Sequence, residues 1–221
     1  TFLEERHGLF RNIPIEYETN NGFTQTIQVK IANVMLDGAP VPYEVYRDRP
    51  YQVIKIGDPQ ETIIGPFEYT IQYSVNRAML FQDSVDELYW NVTGDEWGMS
   101  IPNVSATVRL PAGAEGSINA TCYTGYSGSI DENCEITMYG DTVTTTSNDF
   151  LTIAVGFPKG LVTEPTTLQK IIWFLTDNWD IFSLFVPLFL LIGMIAHWRA
   201  AGKDAEGRGI IVAEYEPPKG L

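Results

Sequence analysis

The sequence has few residues of the kinds that carry enzymatic chemistry. Its 221 residues include only two histidines, His7 and His197, and two cysteines. No Gly-x-Ser-x-Gly turn and no glycine-rich phosphate loop is present. A Ser-His-Asp triad would have to use His7, which lies in a loop. His197 borders an apolar run, where an interfacial position is favoured over a proton-carrying role. We therefore predict no catalytic set and no cofactor.

Positive charge is also scarce. The chain has 14 Lys and Arg against 28 Asp and Glu, for a net charge of −14. Residues 1–180 hold 24 of the acids and 10 of the bases, so the imbalance belongs to this part. Such a surface repels phosphate backbones and excludes nucleic acid as a partner. It favours cations or basic protein surfaces, or it simply keeps the domain soluble.

Strict alternation of apolar and polar residues is the clearest local pattern. It covers residues 67–75, 104–110 and 27–31, and a period of two places the apolar side chains on one face of a strand. Turn residues separate nine or ten such segments at spacings of roughly 8–12 residues. No helical period appears before Leu168. The pattern predicts an all-β fold, an antiparallel β-sandwich that is Ig-like in general architecture, with a barrel as the alternative.

The two cysteines, Cys122 and Cys134, lie 12 residues apart in a Gly-, Ser- and Thr-rich stretch. No histidine is near, so a zinc site is not indicated. In an exported domain a disulfide is the expected state, and two separate structural thiols are the alternative.

Charge is absent from residues 181–198, an apolar run of 18 residues. As a helix this run covers roughly 27 Å, close to the hydrocarbon thickness of a bilayer. Trp179 and Trp198 stand at its ends, where we expect them, with Arg199, to be membrane-interface anchors. The alternative is the buried core helix of a soluble protein.

The charges that flank the run predict its orientation. Asp177 and Asp180 precede it, whereas Arg199, Lys203 and Arg208 follow it. Basic residues stay on the cytoplasmic side, so the β-domain is expected outside the cytoplasm. The absence of an initial Met and the terminal PPKGL run indicate a segment of a longer protein. The predicted regions are an extracytoplasmic β-domain (1–165), a helical juxtamembrane approach (166–180), a transmembrane helix (181–198) and a cytoplasmic tail (199–221).

Several motifs resemble one family. They are HGLFRNIP at residues 7–14, DELYWNVTG at 86–94 with Glu96 and Trp97, IPNVSATV at 101–108, GFPKG at 156–160, AGKD at 201–204 and YEPP at 215–218. Together they resemble the DUF2207 family of predicted membrane proteins, which includes the YciQ-like proteins. Lys203 and Ala205 depart from its usual Arg and Pro. The resemblance implies a protein of a prokaryotic cell membrane, with an exported β-rich domain that is followed by a membrane span and by further membrane helices. It implies no activity.

One cluster combines acids with aromatic residues. Its candidate recognition residues are Asp83, Asp86, Glu87, Asp95, Glu96 and Trp97. Carboxylate pairs with aromatic platforms occur in glycan hydrolysis, and oxygen ligands on loops bind calcium, although the spacing lacks the calcium-loop pattern. The plainer interpretation is a strand and turn whose aromatics fill the core.

The leading functional hypothesis is a membrane-anchored envelope protein whose β-sandwich mediates protein–protein contacts or assembly. The expected partners are the lipid bilayer and other membrane or envelope proteins, or further copies of the chain in an oligomer. One alternative is a cell-wall or carbohydrate domain that uses residues 83–97. Another is a subunit of a membrane complex that packs through Phe182, Phe185 and Phe189.

Overall fold

The structure, a computed structural model, describes residues 2–19, 21–94, 96–99, 101–126 and 128–202, with only the backbone at residues 2 and 3. The predicted tail beyond residue 202 lies outside these residues, as do the AGKD motif from Lys203 and the YEPP motif. The chain divides after Asp177 into two compact units. The first contains the sheets and one helix, and the second contains the apolar helical segment.

The strands are named in chain order: β1 (Phe2–Arg6), β2 (Leu9–Pro14), β3 (Glu16–Glu18), β4 (Thr24–Thr26), β5 (Gln28–Leu36), β6 (Ala39–Pro40), β7 (Tyr43–Asp48), β8 (Tyr51–Ile56), β9 (Ile63–Gly65), β10 (Tyr69–Asn76), β11 (Met79–Phe81), β12 (Val85–Asn91), β13 (Val104–Arg109), β14 (Asn119–Thr124), β15 (Cys134–Tyr139), β16 (Thr142–Ser147) and β17 (Leu151–Pro158). The helices are α1 (Thr167–Asp177), α2 (Trp179–Ser183) and α3 (Phe185–Ala201). Every strand pairing among the described residues is antiparallel, as the alternation predicted.

A first pair of sheets is built from residues 9–76. One sheet has the order β2-β8-β7 and the other β10-β5-β6. Ile13 and Ile54 from the first sheet and Val34 from the second share one buried core. Burial of such side chains stabilises the fold by about 1.5–3 kcal/mol each, so the two sheets form a sandwich.

A second pair of sheets follows in residues 79–158. Its sheets have the orders β11-β12-β17-β14 and β13-β16-β15. Val143 of β16 packs with Ile153, Val155 and Phe157 of β17 in the main core. Trp90 of β12 packs against the cores of both sheet pairs. The sheets therefore form two successive sandwiches that share one aromatic side chain.

The alternation predicts the strand faces well except at one bulge. In β10, Tyr69, Ile71, Tyr73 and Val75 are half-buried and the residues between them are exposed. The register of the pairing between β10 and β5 shifts between Gln72 and Tyr73 of β10, and the extra residue lies in β5. An extra residue in one strand reverses the phase of the side chains beyond it. Val34 thereby joins the buried face although it lies three residues after Ile31, which a strict period of two does not predict.

A disulfide joins the two sheets of the second pair. Cys122 of β14 is bonded to Cys134 of β15, with Cα atoms 6.4 Å apart. Cys122 is buried, and Cys134 packs against the same small core with Val104 and Leu151. The bond is the one predicted from the spacing, and it connects sheets that share no strand pairing.

Helix α1 begins where its sequence provides a cap. The backbone N–H of Gln169 donates to the hydroxyl of Thr166 (3.3 Å), and the Gln169 side chain accepts from the N–H of Thr166 (2.8 Å). This reciprocal pair is a capping box, and Pro165 before it ends the extended segment.

The second unit contains an apolar helical run, Trp179–Ala201, of 23 residues with mean hydropathy 2.1. Its length and composition are sufficient to cross a membrane, and no residue of its most apolar window is buried within the chain. The helix is interrupted at Leu184, between α2 and α3. Pro187 follows in the first turn of α3, where its missing N–H is tolerated. This segment corresponds to the transmembrane helix that the sequence predicts at residues 181–198.

The disulfide provides the first test. Replacing both cysteines, Cys122→Ser with Cys134→Ser, should lower the free energy of unfolding by about 3 kcal/mol, since a loop of this size constrains the unfolded chain. The measurement is urea unfolding of the full chain in detergent. A reductant should produce the same loss in the unmodified chain and none in the double variant. Equal stability of the two chains under oxidising conditions would contradict the expectation.

Candidate functional site

A groove of about 1090 Å³ opens within the first unit, along helix α1. Its walls come from the β3–β4 hairpin, the end of β10, β11 and the segment that leads into α1. The side chains that determine its character are mostly apolar or aromatic: Phe23, Tyr73, Met79, Leu80, Phe81, Leu88, Trp90, Val162, Pro165, Trp173 and Phe174. No local pattern predicts this groove, because its walls come from segments that are far apart in the chain.

One border of the groove is the edge of a sheet. Strand β11 is the last strand of the order β11-β12-β17-β14. Consecutive residues from Ala78 to Gln82 all line the groove, although successive side chains of a strand point to opposite faces. The backbone edge of β11 therefore borders the groove.

Aromatic contacts hold α1 against the sheets. The ring of Phe174 meets that of Phe23, before β4, edge to face at 4.9 Å between centroids. The guanidinium of Arg77 lies over the Trp173 ring at 4.6 Å. Edge-to-face pairs and cation–π contacts are each favourable by about 0.5–1.5 kcal/mol. They fix which face of α1 turns inward.

A buried ion pair completes this attachment. Arg77, in a left-handed conformation (φ 70°) between β10 and β11, donates from Nη1 to Oδ1 of Asp177 at 3.1 Å and from Nη2 to Oδ2. The two side chains are only 7% and 8% exposed. The N–H of Thr26 in β4 also donates to Asp177 Oδ2, at 3.1 Å. The last residue of α1 is thus bonded to β4 and to the β10–β11 turn.

A second, exposed ion pair lies across the other end of the groove. Nζ of Lys170 donates to Oε1 of Glu164 at 2.6 Å. This hydrogen bond, and then the charge of Lys170, lowers the pKa of the Glu164 carboxyl. The pair links α1 to the segment before it.

The sequence-predicted recognition residues do not share one surface. Asp83 is exposed, whereas the Asp86 side chain is buried, with Lys159 Nζ 3.6 Å from its Oδ1. Glu96 accepts a hydrogen bond of 2.7 Å from the Tyr51 hydroxyl of β8, and Asp95 lies outside the described residues. Asp86 and Glu96 therefore have different partners on different elements.

Glu87 belongs to the outward face of β12. It lies half-buried near Tyr89. Burial raises the pKa of Tyr89, and the nearby Tyr123 and Glu87 add to the effect. No group of three His, Cys, Asp or Glu with metal-binding geometry occurs within the described part of the chain.

Trp97 takes part in a junction between the two sandwiches. Its indole N–H donates to the carbonyl of Thr93 at 2.8 Å, and Arg11 of β2 stacks over its ring at 5.9 Å. Arg11 also donates to the carbonyls of Thr93 and Val92, the latter at 3.2 Å. Any Cβ at Gly94 (φ 75°) would collide with the Arg11 guanidinium. The HGLFRNIP and DELYWNVTG motifs therefore meet at this contact.

The predicted membrane-interface anchors lie on the second unit. Trp179 begins α2 and is 61% exposed, and Trp198 near the end of α3 is 59% exposed. Arg199 lies in the last turn of α3, where its charge also complements the helix dipole.

Comparison with known proteins agrees with this architecture. A family model described as "Predicted membrane protein (DUF2207) N-terminal domain" matches residues 1–157. The chain belongs to this family. It is also 25% identical over 224 residues to "Uncharacterized protein YciQ" of Escherichia coli (strain K12), a match that covers 96% of this chain and 36% of that protein. The chain thus spans about a third of the length of this relative. No solved structure matches it.

The functional residues that sequence reasoning missed are those that attach α1 to the DUF2207 domain. The sequence identifies Asp177 only as a charge that flanks the membrane run, and it indicates no role for Arg77. One pattern in the sequence points to this attachment. Gln169, Trp173 and Asp177 recur every four positions, which places them on one face of the amphipathic helix. It identifies the inward face but not the partner.

The buried ion pair generates a prediction about α1. Asp177→Asn should leave the Arg77 guanidinium buried without a countercharge and weaken the attachment by about 3–5 kcal/mol. Amide hydrogen exchange of residues 167–177 in the full chain should accelerate accordingly. As a control, Arg77→Met combined with Asp177→Leu should recover most of the protection, because neither charge remains. Unchanged exchange in Asp177→Asn would refute the role of the pair.

The contact between Arg11 and the carbonyls of Val92 and Thr93 generates a second prediction. Arg11→Met removes charged donors from two backbone carbonyls and should lower the free energy of unfolding by about 1.5–3 kcal/mol. The matched control is Arg6→Met, since Arg6 makes only an exposed pair with Glu4, worth at most about 1 kcal/mol. Urea unfolding of the three chains gives the comparison, and equal losses in both variants would count against the junction.

Proposed function

We propose that this chain is a membrane-anchored binding module whose β-rich unit lies outside the cytoplasm and receives an extended segment of another membrane or envelope protein. The observation that carries the proposal is that β11, which among the described residues pairs with β12 alone, lies along an apolar groove. Membership of a predicted membrane protein family and the apolar run Trp179–Ala201 support the anchoring.

Two independent features support the extracytoplasmic position in this proposal. Basic Arg199, Lys203 and Arg208 follow the uncharged residues 181–198, whereas Asp177 and Asp180 precede them, and basic residues are retained on the cytoplasmic side. The disulfide between Cys122 and Cys134 is suited to an oxidising compartment.

The geometry of the groove favours an extended segment as its occupant. An edge strand carries unpaired N–H and C=O groups along its free side, and proteins use such edges to add a strand from a partner. Main-chain hydrogen bonds then provide affinity, and alternate side chains of the partner enter pockets. Here Phe23, Trp90 and Trp173 would contact those side chains.

The charges of the groove favour an uncharged occupant. Its charged lining residues are Arg77, Asp177, Lys170 and Glu164, and these are bonded to one another in two ion pairs. A charged partner segment would have to displace one of these bonds or lose its hydration without compensation. An apolar segment of an integral membrane protein or of an envelope protein meets the requirement.

Photo-crosslinking tests the proposal. A benzoylphenylalanine at Leu80, which is 38% exposed on β11, should form a discrete adduct in membranes of the source organism. The adduct should map by mass spectrometry to one short segment of a membrane or envelope protein. The same probe at Ile64, which is 59% exposed on β9, is the matched control and should not form it.

A synthetic peptide of the mapped segment distinguishes strand addition from other contacts. It should bind the purified full chain in detergent, and N-methylation of the alternate residues that face β11 should abolish binding, because their donors are lost. N-methylation of the intervening residues should have little effect. Adducts only to lipid or to a second copy, or binding that ignores the N-methyl groups, would overturn the proposal.

A further inference from the structure

Helix α1 has two faces with opposite character. Gln169, Trp173 and Asp177 face the sheets, as their contacts with the groove and with Arg77 require. At about 100° per residue, the opposite side carries Leu168, Ile171, Ile172 and Leu175. These four side chains are 67%, 51%, 48% and 42% exposed. We name them the outer stripe of α1.

The outer stripe follows the spacing i, i+3, i+4, i+7, which is the pattern of an apolar helix face that packs against something. Among the described residues, all four side chains of the stripe are exposed, because the sheets occupy the other face of α1. The residue beside it, Thr176, is uncharged, and the charges of α1 belong to Lys170 and Asp177, both of which line the groove. A continuous apolar stripe of this kind calls for an apolar environment.

We propose that the outer stripe of α1 lies in the bilayer surface, so that α1 is an interfacial helix positioned between the β-rich unit and lipid. The occupant follows from chain continuity. Helix α1 ends at Asp177, and the apolar run that could cross a membrane begins at Trp179. One residue separates them, so the end of α1 is held at the membrane surface. This inference rests on the membrane anchoring in the proposed function.

Charge near the end of α1 agrees with this position. A second, more polar pocket of about 410 Å³ is lined by Arg47, Arg49 and Arg77 together with Thr176 and Asp177. Residues 1–180 contain only 10 basic residues, and three of them line this pocket. Glu16 accepts from Arg49 at 2.8 Å and lies 3.7 Å from Arg47, which gathers the guanidinium groups beside the helix end. The Arg77 guanidinium is taken up by Asp177, but the side chains of Arg47 and Arg49 are 51% and 59% exposed, and basic side chains at that level complement the phosphates of lipid headgroups.

An interfacial helix has its apolar face buried roughly 5–10 Å into the headgroup and acyl boundary. The outer stripe covers two turns, and Leu and Ile are suited to that depth. Trp179, two positions after the end of α1 and 61% exposed, has the amphipathic ring typical of the same level. The outer stripe, Trp179 and the exposed arginines of the pocket are therefore each suited to the headgroup region of a bilayer.

Site-directed spin labelling of the full chain in vesicles of phosphatidylcholine and phosphatidylglycerol tests the inference. The native cysteines are bonded to each other, so Ile172→Cys or Leu168→Cys introduces a unique thiol. Collisions of the label with oxygen, which partitions into lipid, and with a water-soluble nickel chelate are then measured. At both positions the nickel rate should be several-fold lower, relative to oxygen, than for a label at Met138→Cys on β15.

A third label separates this inference from the anchoring on which it rests. Leu190→Cys, within the apolar run, should report lipid. If it does not, the anchoring fails. If it does while positions 168 and 172 are as accessible to nickel as position 138, the interfacial helix alone is refuted. Labels at 168 and 172 that are immobilised and shielded from both reagents would mean that protein covers the stripe, and this also refutes the proposal.

Discussion

The position of α1 depends on the buried ion pair between Arg77 and Asp177. A buried pair adds little net stability, because desolvation of both ions offsets most of their attraction. It is directional, however, because two guanidinium donors meet two carboxylate oxygens and a third donor comes from Thr26. One rotation of α1 satisfies all three bonds. That rotation creates the groove on one side of the helix and exposes the outer stripe on the other.

The two sandwiches are coupled by contacts of a similar kind. Trp90 enters both cores, while Arg11 reaches from β2 to the carbonyls that follow β12. Gly94 belongs to the same arrangement, since a Cβ there would meet the Arg11 guanidinium, whereas Gly8 (φ 138°) acts within the first sandwich, where it lets the chain before β2 approach the carbonyl of Ile56. Arg11 of the first motif and Val92 and Thr93 of the second therefore contribute to the junction between the two halves of the β-rich unit.

How far the sequence predicted the molecule depended on the range of the interaction. Alternation in β10 and β13 is local, and it predicted both strands and their buried faces. The cysteine spacing and the apolar run are also local, and they predicted the disulfide and the candidate span. The burial of Asp86 depends on Lys159, which is 73 positions away in the chain, and the groove depends on bringing residues near 23, 80 and 173 together. Patterns along the chain contain no information on such pairings, so the acidic residues were grouped by proximity in sequence.

The two proposals use different faces of the same helix, and each makes the other easier to satisfy. A helix that lies on lipid through Leu168 and Ile172 keeps Trp173 directed away from the bilayer, so the groove stays open to a partner. Because the edge of β11 borders that groove, a strand bound there would be held close to the membrane surface. The segments of other proteins nearest that surface are those that enter or leave a bilayer. Because the charges of the groove are paired with one another, the proposed occupant is an uncharged segment of membrane-adjacent chain.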